Sequence, residues 1–380
     1  MRFLTRTLKC AVCVVMVAMF SVMLFGCDAG GENNSGNGTS SGTYPHTSSG
    51  GTSSGTSNDT SSGSSEDTGN KPEVFNPSDF LTYTCPIEEG DTDWYETEGY
   101  DIIIQAGQSN AEGNGYGSVG NTNAYVPRDD ILYYVDDTHN RVYNLSTQRF
   151  RVMRAEERST AVGKCNDFSL AFAYEYLNSG LLPLNRKILI VRTAIGGTGF
   201  SENHVNFPNW NWKPDGDLYV RMINAVEAAL DLPYGDSADY EHRLVAFLWH
   251  QGENDAIARM SENTYYGHLK TLLNGVRTRF NCPKLPFVCG DFVHDWKNET
   301  IGTANACAKI IAATKRVCSE SAPAAFVPTE GLKSNKQDPT HPNSPDIEID
   351  NIHFCREAVN LLGKKYFDAY MALIQAGYVD

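Results

Sequence analysis

An open α/β sheet of parallel strands, covered by helices on both faces, is the fold class predicted for about Lys71 to Asp380. Three observations predict it. Short runs rich in Ile, Val, Leu and Phe read as strands buried on both faces, and they recur along the chain. Helical patterns separate those runs, in the β-then-α order that parallel sheets require. The stretch is also long enough for one large domain of this kind.

Taken in order, the first strand is expected at Ile102–Ala106 and a helix at Phe168–Leu177. A second strand follows at Lys187–Ala194. The next helix, Leu218–Leu232, carries Leu218, Met222, Val226 and Leu230 at a helical spacing of four. Strands at Leu244–Gly252, Leu285–Phe292 and Ala324–Pro328 then alternate with helices at Asn263–Phe280, Ala304–Ser319 and Glu357–Ala376. In such sheets, sites gather beyond the carboxyl ends of the strands.

The 380-residue chain begins differently. Residues 1–26 read as an export signal: Arg2, Arg6 and Lys9 precede Ala11 to Phe25, a stretch poor in polar groups. That stretch is shorter than the ~20 apolar residues of a comfortable bilayer crossing. Leu24-Phe25-Gly26-Cys27 resembles the lipobox of bacterial lipoproteins, which implies a lipid on Cys27. An ordinary signal peptide and an N-terminal membrane helix are the competing readings. Residues 27–70 are almost entirely Gly, Ser, Thr, Asn and Asp, a composition that cannot offset its own ordering entropy. As a flexible coil, this tether has an r.m.s. reach of roughly 35–40 Å. Residues 71–99 form an N-terminal extension matching no known pattern, and residues 100–380 form the domain.

A net charge of −15 argues against a nucleic-acid binder, since no basic stripe is present to neutralise phosphates, and it opposes docking on anionic lipid. Beyond the signal and Cys27, seven cysteines are left: Cys85, Cys165, Cys282, Cys289, Cys307, Cys318 and Cys355. An odd number leaves one thiol unpaired, and no CxxC metal spacing occurs among these seven. Cys307 and Cys318 share one helix about three turns apart, too far to bridge each other.

Chemistry-bearing residues cluster at the predicted strand ends. Two G-x-S-x-G matches, Gly38–Gly42 and Gly51–Gly55, lie in the tether without strand or helix, so composition explains them. Gly107-Gln108-Ser109-Asn110 follows the first strand directly; Ser109 is there either an exposed nucleophile or a helix cap. After the second strand, Ala194-Ile195-Gly196-Gly197-Thr198 offers bare amides to an oxyanion, or is only a tight turn. Trp249-His250-Gln251-Gly252-Glu253 brings polar groups to the same edge, as site or as loop stabiliser. Asp350-Asn351-Ile352-His353 precedes the last helix. Its spacing allows the carboxylate to hold Nδ1 while Nε2 faces a nucleophile.

Together these four segments resemble the conserved blocks of the SGNH hydrolases. The closer likeness is to carbohydrate esterase family six and the sialate O-acetylesterase domain, over roughly Tyr100 to Tyr370. The resemblance implies a three-layer α/β/α, flavodoxin-like fold and ester hydrolysis with no cofactor and no metal. Carried over, Ser109 is the nucleophile, His353 the base and Asp350 its orienting acid. The amides of Ser109 and Gly197 match oxyanion donors. Gln251 stands in place of the usual block III asparagine as a third. Glu253 is a supporting or alternative acid. Acetylated polysaccharide, acetylxylan first, is the implied substrate, with O-acetylated sialic acid as the alternative. A catalytically silent glycan-binding lipoprotein lies outside the enzyme class, and intact Ser109, Asp350 and His353 oppose it. Membrane contact is expected through the lipid alone, on an exported, envelope-anchored protein.

Rival residues have ordinary readings too. His250 is a second candidate base but adjoins a buried strand. His294, near Asp291 and Asp295, hints at a metal without a third ligand. Trp210, Trp212 and Tyr116 lie in loops where aromatic faces could stack on sugars or simply pack.

Overall fold

The isoleucine-rich run after Tyr100 forms the central strand of a seven-stranded sheet in the computed structural model. Residues 97–115, 125, 127–136, 150–155, 167–201, 209–232, 241–338 and 349–378 are described. All lie in the second of the chain's two units, Gly69–Asp380. The signal, the Cys27 box, the tether and most of the 71–99 extension fall outside the described residues.

Strand β1 (Tyr100–Gly107) is buried along its whole length, which is why it reads as one apolar run. It pairs in parallel with β4 (Lys187–Arg192) on one side and β5 (Arg243–His250) on the other. Beyond β5 lie β6 (Phe287–Gly290) and β7 (Ala324–Val327), both parallel. Beyond β4 lie β2 (Ile131–Asp136), parallel, and β3 (Phe150–Arg154), antiparallel, giving the order β3-β2-β4-β1-β5-β6-β7.

Strands β2 and β3 are absent from the sequence expectation. β3 buries Phe150 and Val152 but exposes Arg151 and Arg154, as an edge strand with one wet face does, so no continuous apolar run marks it. β4, β5 and β6 end before their expected limits. Their loops at the carboxyl edge, such as Gln251–Gly252 and Asp291–Phe292, are buried as well, and burial alone does not distinguish strand from loop.

Helix α1 (Ser109–Glu112) is a single turn. α2 (Phe168–Asn178) starts where Asp167 accepts from Ser169 N at 2.7 Å. α3 (Asp217–Leu230) buries Leu218, Met222 and Val226 as their spacing predicts. The short α4 (Glu253–Ile257) precedes α5 (Glu262–Arg279), which Ser261 caps. The one-turn α6 (His294–Lys297) precedes α7 (Ile301–Glu320), capped by Thr300, and α8 (Arg356–Gln375) closes the domain. α3, α5 and α7 pack side by side, with Arg279 of α5 paired to Glu227 of α3 and α5 lying against α7, as right-handed crossovers on one face require. On the other, α2 packs along α8, with the Phe168 and Tyr366 rings 4.4 Å apart. Cys307 and Cys318 share α7, and the Cys318 thiol instead meets Cys289 of β6 at 3.2 Å.

The amino end of β1 is locked by charge. Asp101 accepts from Arg186 Nε at 2.8 Å, Arg243 Nε at 2.7 Å and Tyr176 Oη at 2.6 Å. Burial pushes its carboxyl up, but the two arginines and the tyrosine outweigh that and hold it below the usual carboxylate value. The opposite end of β1 carries the site.

Candidate active site

At its carboxyl end β1 touches β5 through bare backbone. Gly107 has φ +130°, and a Cβ there would lie 2.0 Å from the His250 carbonyl oxygen, so only glycine fits. Gln108 N donates to that same carbonyl at 2.9 Å. The chain then turns into α1, whose first residue is Ser109.

Ser109 Oγ lies 2.8 Å from His353 Nε2. His353 Nδ1 lies 2.9 and 3.0 Å from the two Asp350 carboxyl oxygens. Asp350 also accepts the backbone N–H of His353 at 3.2 Å and Asn335 Nδ2 at 2.8 Å. Acceptors on that side place the imidazole proton on Nδ1 and leave the Nε2 lone pair facing Ser109. Burial raises the Asp350 carboxyl, yet the hydrogen bonds and charge of His353, with the Asn335 amide, hold it below the usual range. The 3₁₀ turn Asn335–Gln337 buttresses this corner: Asn335 N donates to His353 O and Lys336 N to Asp350 O, each at 2.9 Å.

Oxyanion donors separate by what already binds them. Gly196 N donates to Glu112 Oε2 at 2.9 Å, and is therefore occupied. Among the described residues the N–H groups of Ser109 and Gly197 meet no acceptor, and Gly197 is exposed at φ +73°. Gln251 is a correction. Only 2% exposed, its Nε2 donates to Asp255 Oδ2 at 2.7 Å, Gln108 Oε1 at 3.2 Å and Thr198 O at 3.4 Å. Its Oε1 accepts from Tyr265 Oη at 3.0 Å. An amide with two hydrogens so committed offers none to an oxyanion; Gln251 ties loops together instead. Asp255 is the centre of that tie, accepting also from Phe200 N at 3.0 Å and Ser201 N at 2.9 Å.

Glu253 does not reach the catalytic imidazole as an orienting acid. Its Oε1 accepts from Asn110 Nδ2 at 2.7 Å, while Asp350 holds both contacts to Nδ1. Burial pushes the Glu253 carboxyl up, against the opposing pull of the Asn110 bond. His250 is fully buried, and burial depresses its imidazole to about 3, so it is a core group with no route to Ser109 as a base.

Trp210 and Trp212 are core residues, 4% and 0% exposed, rather than stacking platforms for sugars. Trp212 Nε1 donates to Thr198 Oγ1 at 2.9 Å and its ring meets Trp249 edge-on at 5.2 Å. Tyr116 lies outside the described residues. Asp291 pairs with Lys297 at 2.6 Å, and among the described residues no His, Cys, Asp or Glu group around His294 or elsewhere could hold a metal. Asn110, Asn114, Glu112, Asn335 and Asp255 went unpredicted. Each bonds residues distant in sequence or main-chain atoms, and no local pattern marks such partners.

A family model described as carbohydrate esterase, sialic acid-specific acetylesterase, matches residues 99–372. The solved structure of NanS is similar at a TM-score of 0.57 and 19% identity, covering 74% of this chain and 99% of that one. At that identity the likeness shows the shared fold. A protein from Arabidopsis thaliana is similar at a TM-score of 0.49 and 22% identity, over 71% of this chain and 97% of that chain. No curated protein matches the chain.

Proposed function

The chain belongs to the family of carbohydrate esterases described as sialic acid-specific acetylesterases, and from that premise we propose that it cleaves acetyl esters as a serine hydrolase. Membership makes it a carboxylic-ester hydrolase acting on acetylated carbohydrate. The observation that carries the serine mechanism is the unbroken hydrogen-bonded line from Ser109 Oγ through His353 to Asp350.

Ser109 Oγ attacks the acetyl carbonyl carbon while Nε2 of His353 takes its proton. The N–H groups of Ser109 and Gly197 stabilise the resulting oxyanion. Collapse breaks the ester bond, and the imidazolium returns its proton to the departing sugar oxygen. Water then attacks the acetyl-Ser109 ester by the same route and releases acetate. Asp350, held ionised by its neighbours, stabilises the imidazolium and fixes its tautomer.

Acetylated polysaccharide, acetylxylan first, is the proposed substrate. O-acetylated sialic acid is the second reading, favoured by the description of the matching family. Acetate release from both substrates, compared for the wild type and Ser109→Ala, tests activity and preference together. Turnover by Ser109→Ala at the wild-type rate refutes the serine mechanism. Faster release from the sialic acid ester refutes the polysaccharide reading. The Leu24–Cys27 box and the 27–70 tether support a further proposal, that a lipid on Cys27 holds the exported enzyme at the bacterial envelope.

A further inference from the structure

We propose that Glu253 is the positioning residue for His353: through Asn110 it clamps the backbone on both sides of the histidine and so holds the imidazole over Ser109. The inference rests on the serine-esterase reading above.

Three segments meet at the Asn110 side chain. Its Oδ1 accepts the N–H of Phe354 at 3.0 Å, and its Nδ2 donates to the carbonyl of Ile352 at 3.0 Å. These two contacts flank His353 and fix which way the amide faces, because Phe354 brings a donor and Ile352 an acceptor. The remaining Nδ2 hydrogen points to Glu253 Oε1 at 2.7 Å. Asn110 is one residue past the nucleophile, so this one amide couples the serine and histidine segments. Glu253 is what pins the amide, from the first turn of α4 at zero exposure.

Glu253 does this as an uncharged acid. Its ion-pair partner among the described residues is His250, whose Nε2 lies 3.8 Å from Oε1, while burial and the Asp255 charge outweigh the opposing pulls of Asn110 and the His353 charge. His250 is neutral in this setting. Tyr366 Oη gives its single hydrogen to Trp249 O at 2.9 Å, so His250 Nδ1–H donates to Tyr366 Oη at 2.9 Å and Nε2 is left as an acceptor. Both His250 Nε2 and Glu253 Oε2 are buried without a hydrogen-bond partner. A carboxylate there adds a buried charge facing a neutral imidazole, whereas a carboxylic acid carries no charge into this corner. The raised Glu253 carboxyl agrees with that geometry.

The test uses the full-length protein, with active sites counted by a serine-directed phosphonate so that only folded molecules enter kcat. Glu253→Gln keeps the Oε1 acceptor without charge and should hold kcat within about 3-fold of the wild type. Glu253→Leu removes the acceptor and should lower kcat by roughly 10- to 100-fold at unchanged KM, as expected for one buried hydrogen-bond group left unmet. The His353 Nδ1 proton resonance should shift in Glu253→Leu and stay in place in Glu253→Gln. Asn110→Ala cuts the same link from the other end and should reproduce the kcat loss, which keeps the proposal testable where Glu253→Leu does not fold. A lowered melting temperature with normal kcat per titrated site, in either variant, overturns the positioning role. A large loss in Glu253→Gln overturns the uncharged form. Full activity in Ser109→Ala instead removes the serine reading itself, an outcome distinct from both.

Discussion

Replacing Asp350 by Asn exchanges two acceptors for one acceptor and one two-hydrogen donor, at a point where both oxygens already accept. Set toward Oδ1, the new NH₂ faces the backbone N–H of His353, now at 3.2 Å. Set toward Oδ2, it faces Asn335 Nδ2, now at 2.8 Å. Either way one donor meets another, and the NH₂ beside Nδ1 is relieved only when the imidazole moves its proton to Nε2. The nitrogen facing Ser109 is then already protonated and accepts nothing. The expected loss is up to ~10⁴ in kcat, or about 5 kcal/mol at 1.36 kcal/mol per decade, with KM little changed. Initial rates on p-nitrophenyl acetate give both constants, and circular dichroism checks the fold. A folded Asp350→Asn protein with kcat within ~10-fold of wild type would refute the reasoning and return the orienting role to another acid.

Other substitutions probe separate levels of the structure. Ser109→Ala should cost several orders of magnitude in kcat, and a serine-directed phosphonate should mark Ser109 and no tether serine in peptide mass spectra. Cys27→Ser should release the protein from membranes with esterase activity intact; membrane retention without a lipid at position 27 contradicts the anchor. Gly107→Ala combines a forbidden φ with a 2.0 Å clash against His250 O, so urea unfolding should show a loss of about 3 kcal/mol or more. Asp101→Asn breaks a buried ion pair and should cost about 3 kcal/mol at neutral pH. The folded Asp101 carboxyl lies below its ordinary 3.8, so its contribution is present above 3.8 and lost as pH falls through the lower folded value. Urea midpoints at pH 7 and pH 3 should therefore converge for the variant and the wild type at the acidic end.

Legibility in the sequence followed how locally each feature is encoded. The strands β1, β4 and β5 are buried on both faces, so their apolar runs stand out. β2, with Tyr133, Tyr134 and Asp136 in six residues, and the half-exposed β3 do not. Ser109 and the Asp350–His353 pair were readable because a strand end and a three-residue spacing mark them locally, although distant residues also hold them in place. Gln251 misled for the converse reason, and of the two readings open for Trp212 the packing one holds. Chain position put them at the right edge, but side-chain direction was decided by Asp255, Thr198 and Trp249. Asn110 illustrates the limit: its partners Glu253, Ile352 and Phe354 lie 143 to 244 positions away.

The members of the catalytic line hang from supports of unequal strength. Ser109 follows a strand hydrogen-bonded to neighbours on both sides and clamped at its far end by two arginines. His353 and Asp350 sit on a short irregular segment held by an isolated bridge, Ser334 to Phe354, a single 3₁₀ turn and the side chain of Asn110, with no sheet ladder on either side among the described residues. Amide exchange in β1 demands near-global opening, while the 350–355 segment opens through a much smaller fluctuation. Mild heat or denaturant therefore disconnects the base before it disturbs the nucleophile, and the enzyme falls silent while most of its fold is intact.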